Sequence, residues 1–179
     1  MVELVEHDPE WGKLANEKIK QLWNIFGDAA IDIQHVGSTA ILGIKTKPVI
    51  DIAVAVSNFD DVLALYPKLS EQGVIYAGGA GDGGVLAFHC GEYVAGETFP
   101  RIMTHQIHVV IADSQQWHDR INYRDYMNSH PAAAREYERL KLLLAEANSN
   151  SYSNYYFSKY DYVAKTIRVA RQWNDSGRI

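Results

Sequence analysis

The sequence predicts an α+β fold: a mixed β-sheet with helices packed on one face and an open cleft on the other, followed by C-terminal helices. Three observations carry that expectation. Strand-like alternation is confined to residues 30 to 111. Helical spacing occupies what precedes and follows. The strand VIDIAVAV, residues 49 to 56, has one aliphatic face and one that carries a carboxylate, as a sheet between a core and a cleft requires. A chain of 179 residues suits one domain, 1–179, with a helical C-terminal portion at 114–173.

The elements follow in order. Asp8 and Pro9 read as a cap and first helical position, and Trp11, Leu14, Ala15, Ile19, Leu22 and Phe26 recur at helical spacing up to Gly27. AIDIQHV at 30 to 36 alternates as a strand and ends at Gly37-Ser38-Thr39. In the next strand Ile50, Ile52, Val54 and Val56 share the core face, leaving Val49, Asp51, Ala53 and Ala55 on the other. Ser57 or Asn58 caps a helix through Phe59, Val62, Leu65, Tyr66 and Leu69 that Gly73 closes. GGAGDGG at 78 to 84 fits neither glycine-rich phosphate motif, because a strand, VLAFHC, follows it; it reads as a turn. THQIHVVI at 104 to 111 places Thr104, Gln106 and His108 on the face type of Asp51. Residues 114 to 130 read as a helix and Pro131 opens the next. NSNSYSN at 148 to 154 is a linker, and a closing helix carries Tyr156, Tyr160, Val163, Ile167 and Ala170.

Composition narrows the function classes. A net charge of −5 argues against a broad nucleic-acid surface. One cysteine, Cys90, forms no internal disulfide, and no apolar run has the length of a signal peptide or a membrane span, so the expected location is the cytoplasm without membrane association. Cys90 has no partner in sequence and reads as inert.

Asp51 demands the most explanation, since a carboxylate in an otherwise apolar strand is costly unless something binds it. Gly37 and Ser38 at the preceding turn suit an anion, through backbone N–H groups and a hydroxyl. Phosphate on that turn would lie near a cation on Asp51, the pairing that phosphoryl or nucleotidyl transfer uses.

HVGST, Gly43 and KPVIDI, then HQIHVV, then YRDYMNSHPAAAREYERLK at 123 to 141 and YFSKYDYVAKTI near the end together resemble the GrpB family, in the DNA polymerase β-like nucleotidyltransferase superfamily. The resemblance implies phosphate binding at Gly37 and Ser38 and a metal ligand at Asp51, the one candidate catalytic residue. It also exposes departures. Ala53 stands where the second superfamily carboxylate belongs, and His108 stands where a third is expected. The usual two-ion site is therefore degenerate, and Ala53→Asp is expected to strengthen metal binding. Leu42 replaces a proline of the family pattern, a change expected to alter the turn.

The implied cofactor is a divalent cation, magnesium or manganese, with zinc admitted if His108 is a ligand. Lys47, Arg124 and Lys159 are the candidate phosphate-binding cations beside Gly37 and Ser38; Lys45, Arg135 and Lys141 read as surface charges. His35 reads as a residue that orients the turn, and Asp125 and His130 as unrelated to one another. Tyr152, Tyr155, Tyr156 and Tyr160 either stack on a base or pack on the sheet. Two functions follow: a nucleotidyltransferase-like protein that transfers a nucleoside monophosphate to an unknown acceptor, or a non-catalytic module that binds a nucleotide or a coenzyme A-like ligand. The second draws on the fusion of GrpB-type domains to dephospho-coenzyme A kinase. Oligomeric state is not legible from the sequence.

Overall fold

In the computed structural model, residues 3–79, 84–97, 99–147 and 157–178 are described. Helix α1 (Glu10–Phe26) starts where the Asp8 carboxylate accepts the Glu10 N–H at 2.9 Å, and ends at Gly27 with φ +52°. Strand β1 (Ala30–Val36) runs into a one-turn 3-10 helix at Ser38–Ala40. Strand β2 (Ile50–Val56) follows an irregular stretch that Val5 and Thr46 tie together as a bridge.

The helix expected across 58 to 73 is instead two short ones, α2 (Phe59–Ala64) and α3 (Tyr66–Glu71). The break has a covalent cause: Pro67 has no N–H to return to the Leu63 carbonyl. Asn58 is the cap, its side chain accepting from the Asp61 N–H. A strand not identified by alternation, β3 (Ile75–Gly79), pairs with β4 (Val85–Glu92). Residues 80–83 of the glycine-rich turn lie outside the described residues.

Strand β5 (Ile102–Ile111) returns to the middle of the sheet, whose order is β1-β2-β5-β4-β3. Only β2 and β5 are parallel, so the sheet is mixed. Helices α4 (Gln115–Ser129), α5 (Pro131–Ala147) and α6 (Tyr160–Asp175) complete the chain. The linker at 148 to 154, with Tyr152, and Tyr155 and Tyr156 after it, lie outside the described residues.

Three apolar clusters position everything else. The largest joins Trp11, Leu22 and Phe26 of α1 with Ile52, Val54, Phe88 and Ile107 of the sheet. On the opposite face Val36, Ala53, Ala55 and Val110 pack under Trp117 of α4. The third seats α4 and α5 on the segment after the 3-10 turn, through Ile41, Ile44, Tyr123, Met127 and Tyr137, with Val163 and Ile167 of α6 against it. Among the described residues, Asp51 on this second face keeps about one-fifth of its side chain exposed. Dispersion and burial of this kind contribute about 1.5–3 kcal/mol per large side chain, enough to hold the C-terminal helices beside the turn.

Candidate functional site

Parallel pairing sets Asp51 opposite Gln106 and Ala53 opposite His108, with all four side chains on one face. His108 reaches diagonally, its Nε2 donating to Asp51 Oδ1 at 3.2 Å. Both side chains are only about one-fifth exposed, 20% and 22%.

Beside them the chain turns at Gly37, where φ is +71°. A β-carbon there would stand 2.6 Å from Asp51 Cβ and 2.7 Å from its Cγ, so only glycine admits this approach. Hydrogen bonds hold the turn from both sides. His35 Nε2 is bonded to Thr39 Oγ1 at 2.9 Å, and the Ser38 and Thr46 hydroxyls bond each other. Burial pushes His35 down to about 4, despite the Asp51 carboxylate, so the ring is neutral as it orients the turn. Leu42 donates its N–H to Asn128 Oδ1 at 2.9 Å, a bond that a proline at this position would have no hydrogen to make; Asn128 Nδ2 in turn donates to the Ala40 carbonyl.

A cleft of about 350 Å³ opens between this turn, the sheet and the C-terminal helices. Gly37, Ser38, Lys47, Asp51, His108 and Lys159 all line it, although they come from five separate places in the chain. Burial lowers both lysines from their ordinary value, Lys159 to about 8 with help from Lys47, while Asp51 pulls the other way.

Arg124 does not join them. Its guanidinium donates to Gln34 Oε1 at 2.8 Å, to the His35 carbonyl at 3.0 Å and to Asp125, tying α4 to β1. Lys45 pairs with Glu6 at 2.8 Å, and Arg135 is exposed. Lys141, expected at the surface, is buried, with its Nζ donating to the Lys45 carbonyl at 2.6 Å. His130 donates to the Tyr126 carbonyl, separate from Asp125. Tyr160 borders the cleft, and Cys90 is buried on the other side of the sheet, where its thiol is pushed up. Gln116, Asp119, Arg120, Tyr123 and Tyr137 also line the cleft. Sequence reasoning missed them because they read as an ordinary helical polar face, and only the packing of α4 and α5 turns them inward.

The donor set does not fit a pair of cations. Ala53 is 0% exposed beneath Trp117, so the position of the missing carboxylate is sealed as well as substituted. Asp119 is held in a bidentate ion pair by Arg171 at 2.6 and 2.7 Å. Among the described residues no three His, Cys, Asp or Glu side chains are grouped to hold a metal. Asp51 and His108, joined by their hydrogen bond, are a carboxylate and an imidazole on the cleft side of the sheet.

Comparison with known proteins agrees with this architecture. The family model described as "GrpB protein" matches residues 1–168. The glutamate-rich protein GrpB of Alkalihalophilus pseudofirmus is 36% identical over 165 residues, covering 92% of both chains. The YqkA protein of Bacillus subtilis is 27% identical, covering 96% of this chain and 48% of its own. The crystal structure of conserved protein GrpB from Enterococcus faecalis superposes with a TM-score of 0.83 at 26% identity, covering 96% of this chain and 99% of that one. The Cid1 poly(U) polymerase shares the fold at a TM-score of 0.54 and 16% identity, covering 88% of this chain and 50% of its own. Among the described residues no helix is long and apolar enough to cross a membrane. With a nucleotidyltransferase-like sheet, a glycine turn closed onto Asp51 and a match along nearly its whole length, the chain belongs to the GrpB family.

Proposed function

We propose that the cleft binds the phosphate groups of a nucleotide or another phosphorylated small molecule, together with one divalent cation. Gly37 and Ser38 receive phosphate at the turn, Lys47 and Lys159 supply charge from the facing wall, and Asp51 with His108 holds the ion. Magnesium or manganese suits the carboxylate; zinc is the alternative that His108 admits. The bound ion would neutralise phosphate charge. The observation that carries the reading is the convergence of these six residues on one cleft.

Transfer of a nucleoside monophosphate is the catalytic form of this reading. Its non-catalytic form, a module that recognises a nucleotide or a coenzyme A-like ligand, is favoured by Ala53: with that position closed by Trp117, two-ion transfer lacks a second carboxylate.

A thermal-shift screen of nucleoside triphosphates and coenzyme A derivatives, each with magnesium, manganese or zinc, tests the reading. A ligand at one hundred times its Kd stabilises by about 2.7 kcal/mol. The wild type is expected to show a nucleotide-dependent rise, and Asp51→Asn is expected to lose the increment that the cation adds. No rise with any ligand would remove the proposed function and leave the fold untouched.

A further inference from the structure

The polar floor of the cleft does not end at Asp51. In register across three strands, Asp51 of β2 lies beside Gln106 of β5, and Gln106 beside His89 of β4, so their side chains form one row on the same face of the sheet. Two strand spacings, about 10 Å, separate its ends. Farther along β4 and β5 the same face turns apolar, where Val85 and Val110 pack with Trp117.

A polar row on a sheet face is costly unless its atoms are bonded. Asp51 is bonded to His108, but among the described residues neither the Gln106 amide nor the His89 ring makes a hydrogen bond. Gln106 lines the cleft, within reach of a ligand. His89 is the sharper case: it is 8% exposed, and its Nδ1 is buried without a partner. Burial lowers the His89 ring from its ordinary value, as does His108, so the ring is neutral, with one nitrogen to donate and one to accept. It packs edge-to-face with Phe99, ring centroids 5.2 Å apart, and Phe99 is itself 53% exposed. Part of the cover over His89 is therefore a surface side chain of the segment between β4 and β5, which can turn aside without moving the backbone.

An uncharged amide beside an uncharged imidazole, with an aromatic ring next to them, matches the edge and the face of a nucleobase. The amide and the ring nitrogens pair with base donors and acceptors, and the phenyl offers a surface for stacking. An acyl chain would leave the amide and the imidazole unpaired. We infer that Gln106, His89 and Phe99 form a nucleobase subsite continuous with the cleft, the phosphates of the ligand pointing to the Gly37 turn and its base lying across β5 and β4, with Phe99 turning aside to admit it. This inference rests on the phosphate-binding reading above and narrows its ligand from phosphorylated small molecules to nucleotides.

Calorimetric titrations of inorganic triphosphate and of ATP, GTP, CTP and UTP, all with magnesium, test the subsite. At least one nucleoside triphosphate is expected to bind more tightly than inorganic triphosphate, by about tenfold or more, as hydrogen bonds to a base and a stacked ring supply. Gln106→Met, His89→Leu and Phe99→Ala should each shrink that margin by about three- to tenfold and leave the affinity for inorganic triphosphate unchanged. His89→Leu should also keep the wild-type urea midpoint, because it removes a buried nitrogen that has no partner to lose, whereas a histidine serving only the core would lower the midpoint and leave the margin intact. No margin in the wild type, or a margin that survives all three substitutions, would overturn the subsite and leave phosphate binding in place. A margin lost only in Tyr160→Ala would overturn it too, by putting the base on α6. If neither inorganic triphosphate nor any nucleotide binds, the phosphate-binding reading fails and the subsite with it.

Discussion

Replacing Gly37 with alanine tests the closest contact of the site. Gly37 adopts φ +71° with ψ −169°, a region essentially confined to glycine, where a side chain costs of order 1–3 kcal/mol. The new methyl would also meet Asp51 Cβ at 2.6 Å and Cγ at 2.7 Å, far inside contact distance, and those atoms belong to a central strand that cannot retreat. Overpacking of this kind costs a further 1–3 kcal/mol or so, giving roughly 2–6 kcal/mol in all. For a chain of this length that is a fall in midpoint of roughly 5–20 °C. Gly43 supplies the control. It has the same φ, +71°, but nothing lies within 4 Å of where its β-carbon would stand, so Gly43→Ala should lose only the backbone cost of about 1–2 kcal/mol. Urea denaturation of the two variants reads, as their difference, the Asp51 contact together with any difference in backbone cost at the two glycines. Equal losses, within about 0.5 kcal/mol, would refute the claim that Gly37 is required by its approach to Asp51.

Two further outcomes follow from the same geometry. Ala53→Asp, which the sequence alone suggests should restore metal binding, would bury a carboxylate beneath Trp117; a loss of about 3–5 kcal/mol in urea denaturation with no gain in manganese affinity is expected, and a stable variant with tighter manganese binding would contradict this packing. Acid should destabilise the protein between pH 6.5 and about 4, because burial lowers His35 and His105 from 6.5 to about 4, so the unfolded chain takes up protons that the folded chain refuses. Each histidine adds a slope of up to about 1.4 kcal/mol per pH unit in that window, and stability is fully restored above pH 6.5. Urea midpoints of wild type and His105→Gln across this range check it; identical slopes would show that burial of His105 does not govern its proton.

Period and punctuation were enough to read α1, β1, β2, β5 and the C-terminal helices, because each buries one face and a sequence records which residues that face repeats. The cost of a carboxylate in a strand likewise singles out Asp51 from residue order alone. Two local features were less legible. Pro67 splits a helix whose apolar spacing continues through it, and β3 carries too little alternation to announce a strand. Tertiary structure alone decided the rest. Parallel pairing of β2 with β5 brings His108 to Asp51 across 57 positions, a registration that no local pattern encodes. The seat of α4 determines that Arg124 clamps β1 instead of facing phosphate, that Trp117 closes over Ala53, and that Tyr123 borders the cleft. These are outcomes of how helices pack on a sheet, where side chains distant in sequence compete for one volume, and that competition is settled only when the whole core assembles.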